Sequence, residues 1–494
     1  MTHHEPLRRA VLAGVGESRN DASSHLGNAV ALMVDATTNA LSGPNGVLRS
    51  KIDLVCAMVG SDDSPDPAGA VAASLDMPGA RTMVATVGVT QQRLVTNAIL
   101  AVQRGESDAA LVMGGEAKAS SLAARRGGME PPAVPHGPGA DRLLEPSGEF
   151  MADAEVAASL WDPVAQYALI DSALARHEGR SPSELLADVS DLWSRFAAVA
   201  ADNPNAGFAG PPHTAADLAR TTDANRLLAF PYNKWHSTQW ALDHAAALLV
   251  TTEDLALARG LSPDALLHPQ VALDSSWGIS LSRRAEPHRW PTMELMGRLA
   301  EEHLGRPVGD VGLIEAYSCF PAAVRVQQRA LGLPLDGTPT VTGGMAFAGG
   351  PFNHFTYMAT AELVRRLLAG DADQAVLTTV SGMLTKGGLM VWGREPHSRG
   401  TLVADVAQRA EALTDTVEVA PWDPERTVGA SPTTGTAVNG GTDRVVAATV
   451  TGGFNPTLFA ITEDPDGVSH VVSRPAPPGD PATELAALTP GTPA

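Results

Sequence analysis

The chain has 494 residues, enough for several folding units, and 44% hydrophobic residues, enough to fill their cores. Aromatic residues make up only 4%, so Leu, Val and Ala must supply most of the packing. A net charge of −20 excludes the clustered basic surface that nucleic acid or an anionic membrane requires, but not a local pocket for a small anion.

The first apolar run, residues 11–15, is too short to span a membrane and carries no signal-peptide cleavage pattern, so it reads as a first strand. Gly14-Val-Gly16 lacks the third glycine of a dinucleotide fingerprint and reads as a turn leaving that strand. Residues 29–40 predict a helix, and 52–59 a continuous apolar strand of a parallel sheet with Cys56 as a small buried hydrophobe. Another strand, 82–88, ends on glycine. Leu94, Val95, Ala98, Ile99 and Val102 then recur at helical spacing up to Gly105, and residues 109–113 form the next strand.

One pattern repeats. Gly105-Glu-Ser-Asp before the strand Ala-Ala-Leu-Val is echoed by Gly370-Asp-Ala-Asp before Gln-Ala-Val-Leu. Two copies of one unit, with a glycine closing a helix and an Asp opening a strand, imply an internal duplication.

Between the copies, residues 127–139 are Pro/Gly-rich and predict a loop. Asp162-Pro163 opens a helix, and Ser181-Pro-Ser-Glu184 is a capping box before an apolar stripe from Leu185 to Val199. Sheet texture returns with the strand 245–250, the helix 291–304 and a strand at 374–380. After about Gly400, short strands at 417–419, 444–450, 457–461 and 468–472 predict an appended all-β module, and the Pro/Gly/Ala-rich end predicts disorder.

Two tight corners stand between these elements: Ile314-Glu-Ala-Tyr-Ser-Cys-Phe320 and Gly343-Gly-Met-Ala-Phe-Ala-Gly-Gly-Pro351. Together with the segment 105–115 they resemble the thiolase superfamily over residues 8–395. The likeness is greatest to the sterol-carrier-protein-linked branch, often labelled acetyl-CoA acetyltransferase. The end of the chain resembles the C-terminal extension of thiolase-like proteins of type 1. The resemblance implies an α/β fold made of a duplicated thiolase core in α-β-α-β-α layers. The expected units are residues 8–125 and 230–398 as the two halves, 126–229 as a helical loop domain, 405–473 as a small β-barrel and 474–494 as a disordered tail.

The resemblance also places the family's catalytic seats. The nucleophilic cysteine, which a helix N-terminus would activate, falls on Gly88. The Asn or His of the first corner falls on Tyr317, the His of Gly-His-Pro on Gly350, and the acid/base cysteine near Ser381. Without a thiolate and an oxyanion histidine, Claisen chemistry has no covalent route.

The remaining candidates for catalysis are Tyr317, His354 and Cys319, each with a plainer reading as packing or capping. Candidate ligand contacts are Lys234, His236, Ser237, Phe320, Gly344 and Asn353, with Asn353 also a candidate helix cap. Lys386 reads as a surface charge. No metal site is expected, and two distant cysteines point to reduced cytoplasm without a disulfide framework. The expectation is a monomer that binds acyl-CoA or lipid, with a CoA thioester as ligand, no cofactor and no membrane span. One alternative is an aldolase acting on hydroxyacyl-CoA through Tyr317 and His354, with the appended barrel standing in for a partner. A second is a non-enzymatic interaction scaffold.

Overall fold

The structure is a computed structural model that describes residues 8–20, 27–62, 64–208, 210–426, 428–431, 435–438, 443–476 and 479–488. Its first half runs β1 (Ala10–Arg19), α1 (Ala29–Ala40), β2 (Ile52–Met58), α2 (Pro67–Ser74), β3 (Arg81–Ala85), α3 (Gln92–Gln103), β4 (Ala109–Ala117) and α4 (Lys118–Arg126). The run 52–58 is parallel to both neighbours and buried along most of its length, as an uninterrupted apolar strand should be, with Cys56 in the core. Gly105 closes α3 at φ +72°, the left-handed conformation that glycine adopts without steric cost. Gly14 and Gly16 correct the expected turn. Both lie inside β1, where a Cβ would run into α1 and the segment after it, so their role is close helix–strand packing.

The insertion supplies β5 (Arg142–Leu144), α5 (Asp153–Ala157), α6 (Pro163–His177), α7 (Pro182–Asp202), α8 (Ala215–Ala219) and the short pair β6 (Leu227–Ala229) and β7 (Tyr232–Asn233). The caps act as read from sequence. Asp162 accepts the Val164 N–H, and Ser181 and Glu184 cap each other's backbone at the start of α7. The insertion is not wholly helical, because β5 joins the first sheet alongside β3.

The chain then returns through β8 (Asp243–Thr252), α9 (Glu253–Ala258), β9 (His268–Ser275), α10 (Pro291–Leu304), β10 (Leu313–Glu315), α11 (Pro321–Ala330), α12 (Gly344–Phe347), α13 (Phe355–Ala369), β11 (Gln374–Ser381), β12 (Lys386–Gly393), β13 (Leu402–Asp405) and α14 (Ala407–Ala412). The two sheets have the same plan. The first is ordered β1-β8-β4-β2-β3-β5 and the second β10-β11-β12-β9-β13. The run β2-β4-β8-β1 matches β10-β11-β12-β9, and each has one parallel pair followed by two antiparallel pairs. This is the duplication that the Gly105 and Gly370 segments announced.

Helices α1 and α2 cover one face of the first sheet around an apolar core. Helices α3 and α13 lie between the two sheets, and α10 packs on the outer face of the second, beside α11. The layers are therefore α-β-α-β-α. The N-termini of α3 and α13 are buried side by side in the middle layer.

The appended segment differs from expectation. It contains β14 (Val428–Ser431), β15 (Gly435–Val438), β16 (Arg444–Val450), β17 (Thr457–Glu463), β18 (Ser469–Pro475) and α15 (Pro481–Ala486). Among the described residues the strands make a hairpin and an open three-stranded antiparallel sheet, not a barrel. The expected strand at 417–419 is reduced to isolated bridges, such as Val419 to Ser469. The expected disordered tail carries α15 instead, capped by Asp480 and anchored by buried Leu485 and Leu488; residues 489–494 lie outside the described residues. An apolar cluster of Phe230 with side chains from β16, β17, β18 and residues 485 and 488 explains the difference, because it gives a Pro/Ala-rich stretch something to bury against.

Candidate functional site

The N-termini of α3 and α13 are joined by Gln91, which the sequence did not single out. Its side-chain oxygen accepts the Thr356 N–H at 2.7 Å, and its carbonyl accepts the Tyr357 hydroxyl at 2.8 Å. Its Nε2 donates to the Tyr317 hydroxyl oxygen at 3.4 Å. The Tyr317 backbone is held from below. Its N–H donates to Thr378 Oγ1, and its carbonyl accepts from Gln327 Nε2, each at 2.9 Å. The ring meets Phe355 edge-on with centroids 5.7 Å apart. Burial and the adjacent Cys319 push the phenol above its ordinary range, so it is a neutral hydroxyl.

Cys319 is half-buried, and its carbonyl accepts both the N–H and the Oγ1–H of Thr238, at 3.2 and 3.0 Å. Burial pushes the thiol up to about 12, which removes the thiolate needed for attack at neutral pH. Phe320 stacks on Tyr167 at 4.7 Å and neighbours Tyr232 at 5.7 Å, inside the core. The corner beside it is built by residues missed in the sequence. Glu315 accepts the N–H groups of Val341 and Thr342 at 2.7 and 2.9 Å, and Thr340 and Thr342 add their hydroxyls. Ser318 Oγ accepts the Met345 N–H at 3.1 Å, directly below Gly344. Gly344 sits at φ +77°, where a Cβ would lie 2.5 Å from the Phe196 ring. The available signal was a buried acid facing a Thr-x-Thr segment, which is too common a pattern to single out.

The two glycines in the expected catalytic seats each have close neighbours where a side chain would begin. Gly88 has φ +97°, and a Cβ there would meet Pro146 at 3.0 Å. At Gly350 a Cβ would collide with Thr238 Cγ2 and meet Met345 at 3.0 Å. Neighbouring side chains have taken the space that larger residues would need. Ser381 does meet the Gly88 segment, its hydroxyl donating to the Gly88 carbonyl at 3.2 Å. Lys386, expected on the surface, is 4% exposed at the start of β12 and donates from Nζ to the same carbonyl at 3.3 Å.

His354 turns away from Tyr317. Its Nε2 lies 3.0 Å from Nδ1 of His244, whose Nε2 lies 2.9 Å from Glu17 Oε1. With Glu17 ionised, His244 donates from Nε2 and accepts from His354, which fixes both neutral tautomers. Burial lowers the pKa of both rings, and each is kept neutral. Burial alone would raise Glu17, but its hydrogen bond to His244 and the charges around it, including Arg365 and Arg19, bring it down to about 2. The pairing of His354 with Tyr317 expected for an aldolase is therefore not formed. Asn353 is no cap either; its Nδ2 donates to the Val59 carbonyl at 2.9 Å and ties the second half to the end of β2.

The remaining candidates lie on one segment. His236 is fully buried, with Nδ1 accepting the Asn233 N–H at 3.1 Å and Nε2 3.2 Å from Ser190 Oγ. Both ring nitrogens are thus engaged by protein, and burial lowers its pKa to about 3. Lys234 is partly exposed, with Nζ 4.9 Å from the Trp235 ring centroid, and Ser237 is half-buried with its carbonyl accepting from Gln239. Among the described residues no three His, Cys, Asp or Glu side chains are placed to hold a metal, and no helix is long and apolar enough to cross a membrane.

No protein-family model matches the chain, and no curated protein matches its sequence. Solved structures do match its fold. A monomeric SCP2-thiolase-like protein type 1 from Mycobacterium smegmatis superposes with a TM-score of 0.74 at 21% identity, covering 95% of this chain and 92% of that one. An Ltp2–ChsH2(DUF35) aldolase gives 0.58 at 18% identity, covering 78% and 98%. Human mitochondrial 3-ketoacyl-CoA thiolase gives 0.55 at 17% identity, covering 79% and 99%. The chain has a thiolase-like fold.

Proposed function

We propose that this protein binds an acyl-CoA or related lipid on a thiolase-like scaffold without performing thiolase chemistry, as a cytoplasmic monomer in lipid metabolism. The observation that carries the reading is the state of Gly88. It occupies the seat that the resemblance gives to the nucleophile, in a left-handed backbone conformation, with Pro146 only 3.0 Å from where a Cβ would lie. Supporting it, the half-buried Cys319 has its thiol pushed up to about 12 by burial, and Gly350 leaves no room for a histidine. The label acetyl-CoA acetyltransferase would then describe ancestry of fold, not activity. Calorimetric titration with CoA, acetyl-CoA and a long-chain or steroid acyl-CoA tests the binding, beside a thiolysis assay. Saturable binding without thiolysis is expected. Thiolysis at enzyme-like rates overturns the loss of chemistry, and no binding of any thioester leaves an interaction scaffold as the better account.

One observation favours a second reading. Tyr317, in the seat that the resemblance gives to the family's Asn or His, is a neutral phenol that accepts a hydrogen bond from Gln91, and a similar fold is found in an aldolase complex. In a retro-aldol cleavage of a hydroxyacyl-CoA the β-hydroxyl proton would pass to solvent as the carbon–carbon bond breaks, and the neutral Tyr317 hydroxyl would protonate the resulting enolate and be reprotonated from solvent. His354 takes no part in this version, because its ring is committed to His244. Cleavage of a hydroxyacyl-CoA by the wild type that is lost in Tyr317→Phe supports it; no cleavage removes it.

A further inference from the structure

The N-terminal end of α3, the segment from Arg142 to Ser147 and the start of β12 enclose a cleft of about 300 Å³. Gly88, Thr90, Arg93, Arg142, Ser147 and Lys386 are among its walls. Lys386 is the buried one. Its residue is 4% exposed, and its stem is held where a Cβ on Gly278 would come within 3.0 Å of Cε. Its backbone is fixed opposite Ser381 in the β11–β12 ladder.

An ammonium carries three N–H donors, and here one carbonyl, that of Gly88, receives one of them at 3.3 Å. Among the described residues no carboxylate stands within ion-pair distance of it. Burial lowers its pKa with no charged group offsetting the effect. A buried cation without a counter-charge is costly, and an anion entering the cleft would relieve that cost. The rest of the lining points the same way. Arg142 is exposed on the rim and Arg93 lies further in, half-committed to Asp405 at 2.7 Å. Arg93 and Asn97, from the first two turns of α3, also line the cleft. Glu145 is the one acid of the lining, and it is exposed at the rim.

We propose that this cleft is an oxyanion site, in which a carboxylate or phosphate group docks on the Lys386 ammonium and Arg142 closes over it. The volume is at the low end for small-molecule sites, which suits one compact anionic group and not a whole nucleotide cofactor. The cleft adjoins the Gly88 seat of the proposed function, but the oxyanion site rests on the cleft's charges and is tested with anions that carry no thioester.

Titrating the full chain at neutral pH with succinate and with inorganic phosphate, against a chloride control, tests it. At least one anion should bind saturably with a dissociation constant on the order of millimolar or tighter. Lys386→Met should weaken it roughly tenfold, the worth of one charge-assisted hydrogen bond, and Arg142→Gln by less. Tighter phosphate assigns a phosphoryl ligand, and tighter succinate a carboxylate. Wild-type protein gives a second readout that needs no variant: bound anion should slow acylation of Lys386 by an amine-reactive reagent, followed by peptide mass. Absence of binding by both anions up to roughly 50 mM overturns the proposal. So does equal affinity in folded Lys386→Met, or an acylation rate that saturating anion leaves unchanged.

Discussion

Gly350 and Thr238 are packed so closely that any side chain on the glycine would collide with the threonine methyl. The backbone reinforces the contact, because Gly350 N–H donates to the Gln239 carbonyl at 3.0 Å. Placing a histidine at this position should therefore destabilise the fold by about 2–3 kcal/mol, a typical cost of overpacking. Pairing Gly350→His with Thr238→Gly should recover part of that loss. Gly88→Cys should not restore thiolysis, because its backbone is left-handed and Pro146 stands in the way. Urea midpoints measure the first two effects. A Gly350→His protein as stable as wild type, or thiolysis by Gly88→Cys, would contradict the backfilled site.

The helical insertion is fastened to the second half by a buried charge pair. Arg325 on α11 donates to Asp171 on α6, and the Tyr232 hydroxyl donates to the same carboxylate. Asp171 is fully buried, while Arg325 also lies 3.6 Å from Glu178 and 3.9 Å from Asp188. Removing the acid leaves the buried guanidinium only its longer pairs with Glu178 and Asp188, so Asp171→Ala should cost about 3 kcal/mol. Tyr232→Phe removes one donor and the acceptor of the Ala322 N–H, and should cost about 1–2 kcal/mol. Thermal or urea unfolding of both variants checks the ranking, and equal costs would show that the pair is not the fastening element.

The fold was legible where the sequence used backbone chemistry that few alternatives satisfy. Helices α1 and α10 begin and end where their periodicity does, and Gly105 and Gly370 close equivalent helices in the two halves. The site was less legible, because its residues act through partners far away in sequence. Gln91 joins Tyr317 to α13 across more than two hundred residues, and Lys386 looks like any lysine in a Gly-rich turn until β11 and β12 pair around it. The appended strands were recognisable by their alternation. Closure into a barrel is a property of edges, which local pattern does not encode.

Strand β3 is covered on its far side by β5, with Met83, Val84 and Ala85 paired to Arg142, Leu143 and Leu144. The edge of β3 is thus taken up by the protein's own chain, and the three-residue β5 at the end of the sheet offers a second copy only a short ladder. Sedimentation at low and moderate salt should accordingly give the mass of one chain. A dimer that persists at nanomolar concentration would show that another surface does the pairing.

The buried imidazole of His236 makes stability depend on pH in a definite direction. Its unfolded-state value is near the ordinary 6.5, and burial lowers the folded value to about 3. Above the unfolded value neither state binds a proton there, and the contribution to stability is complete. As the pH falls from about 6.5 toward about 3, the unfolded chain takes up a proton that the folded chain refuses, and stability is lost. The slope assignable to one such group is about 1.4 kcal/mol per pH unit. His236→Gln keeps an amide able to reach Asn233 or Ser190 but has nothing to titrate in this range. Its unfolding free energy at neutral pH should be lower than that of the wild type, because it fits the site less well, while its decline below pH 6 should be shallower by about that slope. Urea unfolding of both proteins at several pH values between 7.5 and 5 gives the two slopes. His244 and His354 titrate identically in the pair and cancel, so parallel slopes would mean that His236 is protonated as readily in the folded protein as in the unfolded chain.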